Sequence, residues 1–170
     1  MAIASLPMIA RDGTLAVQDG TGMPITLTLD YEEGNLSVEG LGYLNREVLE
    51  LYDRDDLTAL RFGRRRPIKF KFTCYPKALT DATAKLVLDL VMKTGAWASA
   101  VSTRGANEEV ITYQFTYTVE RTNFGATSDN TVTLKHCHLL ATLSEEPGGF
   151  TKLEIDGTAY LYADSDIVIA

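Results

Sequence analysis

Cysteine is scarce in this chain of 170 residues: Cys74 and Cys137 are the only two. Two thiols make no disulfide framework, and a reducing compartment is the simpler setting. A chain of this length buries about 70% of the surface its unfolded form exposes, so it needs neither disulfide nor metal to fold. No apolar run approaches the roughly 18 residues of a membrane span, so no membrane insertion is expected. The N-terminus lacks the basic region, apolar run and small-residue cleavage site of a secretory leader. Basic charge is in deficit as well. Sixteen Lys and Arg face 23 Asp and Glu, a net charge of −7 that argues against general binding of nucleic acid.

Threonine and tyrosine are abundant. Twenty threonines and 8 tyrosines fit a pleated, half-exposed surface better than a helix. Alternation of apolar and polar residues confirms the period. A hairpin is predicted from Thr14 to Gln18 and Pro24 to Tyr31, around the turn Asp19-Gly20-Thr21-Gly22. A short strand follows at Leu36 to Val38. Pro67 to Tyr75 is a further strand with Ile68, Phe70, Phe72 and Cys74 inward. Val110 to Arg121 reads as a long strand with Ile111, Tyr113, Phe115, Tyr117 and Val119 on one face. Thr131 to Leu143 is another, but its apolar phase moves from even to odd positions. A β-bulge near His136, or burial of both faces, explains that shift. Thr151 to Tyr162 completes the strands. One helix is predicted, Thr80 to Lys93, capped by Thr80 or Asp81, with Leu88 and Val91 against the sheet and Gly95 in the left-handed position after its end. The fold class is therefore mainly β: a sandwich or half-barrel with one packed α-helix in a single domain, 1–170. An N-terminal arm (1–13) and a C-terminal tail (163–170) flank it. Residues 41–66 form a long, partly extended excursion, and loops of that length in small domains are commonly functional.

No constellation carries catalysis. His136 and His138 share a strand face, but two imidazoles fall short of the four ligands of a structural zinc, and Cys74 joins only if the fold brings it close. Cysteines in strands act as small buried apolar residues more often than as nucleophiles. Asp53, Asp55 and Asp56 lack the glycine and distant glutamate of a calcium loop, so they read as a solvated tip or a subunit contact. Arg64, Arg65 and Arg66 form a short basic cluster in an acidic chain, suited to acidic residues of another subunit. No cofactor or metal is expected, and no enzymatic activity.

A resemblance enters through the order of these elements. The stretch Leu27-Thr28-Leu29-Asp30-Tyr31-Glu32-Glu33-Gly34-Asn35-Leu36-Ser37-Val38 resembles the early strands of phage tail tube proteins. So do the excursion Val48 to Arg66 with its Asp-Arg-Asp-Asp tip and Leu60-Arg61-Phe62-Gly63, the strand Pro67 to Thr73, and the Leu79-Thr80-Asp81 helix start. The resemblance implies a structural virion protein. Six copies would close a ring, each adding four strands to a barrel around a pore, and rings would stack into a tail tube assembled in the host cytoplasm. Residues 41–66 would bridge rings, with Asp53, Asp55, Asp56, Arg64, Arg65 and Arg66 as inter-subunit contacts. Partners would be a tape-measure protein in the lumen, tail-terminator and distal tail or baseplate proteins at the ends, and genomic DNA passing through unbound. The alternatives are the ring protein of a contractile secretion system, which shares the fold, a soluble β-sandwich binding module, and a zinc enzyme using His136 and His138.

Overall fold

The computed structural model describes residues 13–29, 35–76, 78–119, 127–145, 149 and 151–170. The chain is mainly β, with one short helix, as its alternating pattern demands. Strands β1 (Gly13–Gln18) and β2 (Thr26–Leu29) form the predicted hairpin. Asp19 closes its turn: the carboxylate accepts bonds from the Thr21 hydroxyl at 2.9 Å and the Ile25 amide at 2.8 Å. It also accepts from the Val101 amide at 3.1 Å, tying the turn to a distant loop.

After β3 (Ser37–Glu39), strands β4 (Arg46–Asp53) and β5 (Asp56–Arg65) pair only with each other. The remaining strands are β6 (Ile68–Cys74), β7 (Tyr113–Val119), β8 (Asn130–Glu145), β9 (Thr151–Ala159) and β10 (Ile167–Ile169). The main sheet is antiparallel in the order β2-β1-β7-β8-β9-β6-β3, with β10 also on β8. It folds over on itself, so that Phe115 of β7 meets Phe70 of β6 at a ring-centroid distance of 4.4 Å and Phe72 at 5.8 Å. Inward residues of both halves, among them Leu15, Ile68, Leu134, Leu153 and Ile155, complete one core.

The 16-residue β8 belongs to both halves. Its register against β7 slips by one residue between the pairs Phe115–Leu134 and Tyr113–Cys137. The extra residue is a bulge at Lys135 and His136, and His136 takes a positive φ of 57°. This is the bulge that the shifted apolar phase called for. Beyond it, Cys137 and Leu139 point into the core.

Three expectations change. The helix α1 spans Val87–Met92 rather than Thr80 to Lys93. The Asp81 carboxylate accepts the amides of Thr83 and Ala84, each at 2.7 Å, and this local turn competes with helix over the preceding residues. The buried members of α1 are Asp89 and Leu90, whereas Leu88 and Val91 are only half-buried. The left-handed residue at the helix end is Lys93; Gly95, two residues on, is also at positive φ. Next, the long central strand begins at Tyr113, because residues 102–112 form a looped segment tied by a Ser102–Gly105 bridge and by the Ser102 and Thr112 hydroxyls. Finally, the expected tail 163–170 is ordered: a 3-10 turn (Asp164–Asp166) leads into β10. The arm over 1–12, the acidic connection 30–34 and the turn at Pro147 and Gly148 lie outside the described residues.

Candidate assembly interface: the projecting ribbon and its base

Within residues 41–66, a 3-10 turn (Tyr43–Asn45) leads into a two-stranded ribbon made of β4 and β5. Its turn, Arg54-Asp55, has φ of 50° and 70° between the paired Asp53 and Asp56, the two-residue hairpin geometry that right-handed strand twist favours. The charged tip expected from Asp53, Asp55 and Asp56 is thus the ribbon's end. Glu47 to Asp53 lie in β4.

Both faces of the ribbon carry apolar side chains, with Glu50 among those of one face and Arg61 among those of the other. Cross-strand pairs share a face. Val48 and Leu60 lie on one, while Leu49, Leu51 and Ala59 lie on the other. Val48, Leu49, Leu51, Tyr52, Leu57 and Leu60 are between 44 and 62% exposed. No second layer of the described residues covers either face. A lone two-stranded ribbon is marginal in water, so this one is suited to burial by something outside the subunit.

The arginine triplet separates. In the strand register Arg64 and Arg66 are exposed, while Arg65 turns onto the body. Arg65 donates to the Tyr162 carbonyl and to Asp164 Oδ1, both at 2.6 Å. Its cross-strand partner Arg46 approaches the same Asp164 oxygen at 3.9 Å. The two guanidinium groups hold the Asp164 carboxyl below its ordinary range, chiefly through the Arg65 bond. Asn45 closes the base: it is buried at φ 45° and donates to the Arg66 carbonyl at 2.6 Å. Arg46, Asn45 and Asp164 were not singled out in the sequence. Asp164 is remote from the ribbon in the chain, and only the positive-φ tendency of asparagine hints at Asn45.

The histidines do not converge on a metal. His136 Nδ1 lies 2.9 Å from the Thr103 hydroxyl and Nε2 lies 3.6 Å from Asp166 Oδ1. His138, past the bulge, lies with Nδ1 3.3 Å from the Ile111 carbonyl. Among the described residues no group of three His, Cys, Asp or Glu is placed to hold a metal ion. The hydroxyl–imidazole–carboxylate chain is tied in at both ends: Thr103 also bonds Thr112, and Asp166 accepts the amides of Tyr162 and Ala163 at 2.8 and 2.7 Å. Arg104 stacks over Tyr162 at 3.7 Å. Both cysteines are buried; burial raises the Cys74 thiol to about 11 and pushes the Cys137 thiol up further still, so neither presents a thiolate.

Burial holds the His136 imidazole below its ordinary value, opposed by Asp166 and helped by Arg104 and Lys135. The fold therefore prefers the neutral ring. As pH falls below about 6.5 the unfolded chain takes up this proton first, so stability declines. Melting temperature should drop between pH 7.5 and 5.5, and the slope should flatten in His136→Gln. An equal slope in the variant would assign the decline to other groups.

No protein-family signature matches the chain, and no curated protein matches it significantly. Solved structures do. A chain in the cryo-electron-microscopy structure of the PVC sheath/tube terminator, an extracellular contractile injection system in its extended state, superposes with a TM-score of 0.62. Identity is 11%, and 99% of each chain is covered. A chain in the PVC sheath-tube complex gives 0.56 at 11% identity, over 98% of this chain and 93% of that one. A chain in the tube-terminating cap of the anti-feeding prophage gives 0.55 at 11% identity, over 100% and 95%. At such identities the likeness is one of fold, and it runs the length of the chain.

Proposed function

We propose that this chain is a non-enzymatic structural subunit of a phage-tail-like tube. Copies close into rings, six to a ring, and the rings stack. The observation that carries this reading is the ribbon, with exposed apolar side chains on both faces and no other described residue laid over them. The shared fold with chains of tube and terminator assemblies supports it. In a virion tail the tube would hold a tape-measure protein, meet terminator and baseplate proteins at its ends, and let DNA pass; the subunit would be made in the host cytoplasm. A second reading, a tube or tube-terminator protein of a contractile injection system, is favoured by the neighbours themselves, which come from such particles.

Electron microscopy of the concentrated, purified protein tests the assignment. Hollow rings or tubes are expected. A tube subunit should grow long stacks, whereas a terminator should stop at single rings. A particle that stays monomeric by light scattering at all concentrations, with no ring in any lysate, would overturn both readings.

A further inference from the structure

We propose that the Arg46–Arg65 pair at the base of the ribbon receives the acidic turn, Asp53, Asp55 and Asp56, of the ribbon of a second copy. The inference rests on the assembly reading above and names a contact within it.

Arg46 and Arg65 stand directly opposite each other in the strand register. Two like charges so placed repel unless an anion lies between them. Asp164 supplies one carboxylate for two guanidinium groups, and the trio keeps a net positive charge. The sharing is unequal. Arg65 has two bonds at 2.6 Å, while Arg46 has only an approach at 3.9 Å, beyond hydrogen-bond distance. The Nε atoms of both arginines are buried without an acceptor. Among the described residues Arg46 is thus a half-buried cation with one distant ion pair and no charge-assisted hydrogen bond. Its side chain is 31% exposed and that of Asp164 is 48% exposed, so a carboxylate from outside can reach the outer edge of the fork.

The complementary group is at the other end of the same element. Asp53, Asp55 and Asp56 cluster at the exposed turn, and no ion pair engages them among the described residues. Arg46 and Asp53 are the two ends of β4, about 23 Å apart at the strand rise, so turn and base of one ribbon never meet. A turn from one copy on the base of the next is a head-to-tail contact, which repeats into a ring or a stack. Arg64 and Arg66, expected to carry this contact, are exposed, where an ion pair adds little. The half-buried Arg46, held in place by its neighbours, has less hydration to lose and a fixed fork for a carboxylate.

Disulfide trapping decides the matter. Asp55→Cys and Ser165→Cys variants, the second beside Asp164, are mixed, allowed to assemble and oxidised. The native Cys74 and Cys137 are buried and stay out of the reaction. A disulfide-linked dimer containing one copy of each variant is expected. In parallel, Arg46→Gln should raise the concentration needed for assembly about fivefold, and the triple change of Asp53, Asp55 and Asp56 to Asn should do the same without adding to it. Assembly without the mixed dimer, with Arg46→Gln assembling like the parent, would overturn this contact and leave the tube reading intact. Failure of the parent to assemble at all would overturn the tube reading and the contact with it. Should Arg46→Gln misfold, the trapping experiment, which keeps Arg46, still decides.

Discussion

Asp89→Ala should cost about 2–3 kcal/mol and lower the melting temperature by roughly 7 °C. The residue is a carboxylate at 1% exposure on a helix of only six residues. It accepts from the Thr94 hydroxyl at 2.7 Å, and from the Thr80 hydroxyl and the Asp81 amide at 2.9 Å each. Truncation removes the acceptor that these three donors share; Thr80, Asp81 and Thr94 are themselves exposed, so water replaces part of what is lost. It also unties the segment before the helix from the segment after it. Gly95 is packed so closely here that a Cβ would overlap the Asp81 carbonyl and approach Asp89. Burial pushes the Asp89 carboxyl up, but the Asp81, Thr94 and Thr80 bonds outweigh it and hold the group below its ordinary range. Asp166 behaves alike, its burial outweighed chiefly by the Ala163 and Tyr162 amides. Both carboxylates therefore add stability above the unfolded value near pH 4, and that stability is lost as pH falls through their folded values. Acid unfolding should steepen below about pH 4, and Asp89→Asn should flatten that limb. Thermal and acid denaturation followed by circular dichroism would show it; an Asp89→Ala cost under about 0.5 kcal/mol would mean that the carboxylate organises nothing.

Gly157→Ala should cost about 3 kcal/mol, the upper range for overpacking a core. Gly157 of β9 lies opposite Phe70 of β6, and a Cβ there would overlap the Phe70 ring atoms Cζ and Cε2. The ring has nowhere to go, since Phe70 is 1% exposed and stacked on Phe115. Combining Gly157→Ala with Phe70→Leu should cost less than the sum of the two changes, because the shorter side chain vacates the space the methyl needs. Strict additivity in urea melts would show that the two sites do not touch.

The strands of the body were legible because each has one wet and one dry face, so alternation alone placed Phe70, Tyr113 and Phe115 in the core. Even the bulge left a mark, in the step from Leu134 to Cys137 as inward residues. The ribbon left none. Leu49, Leu51, Val48 and Leu60 occupy both faces, which is why neither the strand nor the helix period fitted Glu47 to Asp53. The helix was overextended because Asp81 captures backbone amides that an apolar stripe alone would assign to the helix. The charged groups of the base were legible only in part. Arg65 stood out within its triplet, but its engagement with Asp164 depends on the 3-10 turn and β10, where only a tail was expected.

The long β8 has a mechanical consequence. Its first half is bonded to β7 and β10 and its second half to β9, so one unbroken backbone runs through both sides of the body. Tension along this strand passes from one sheet half to the other through covalent bonds and is resisted by hydrogen-bond ladders loaded in shear. A pulling experiment along β8 should show one rupture event without a separate yielding of either half.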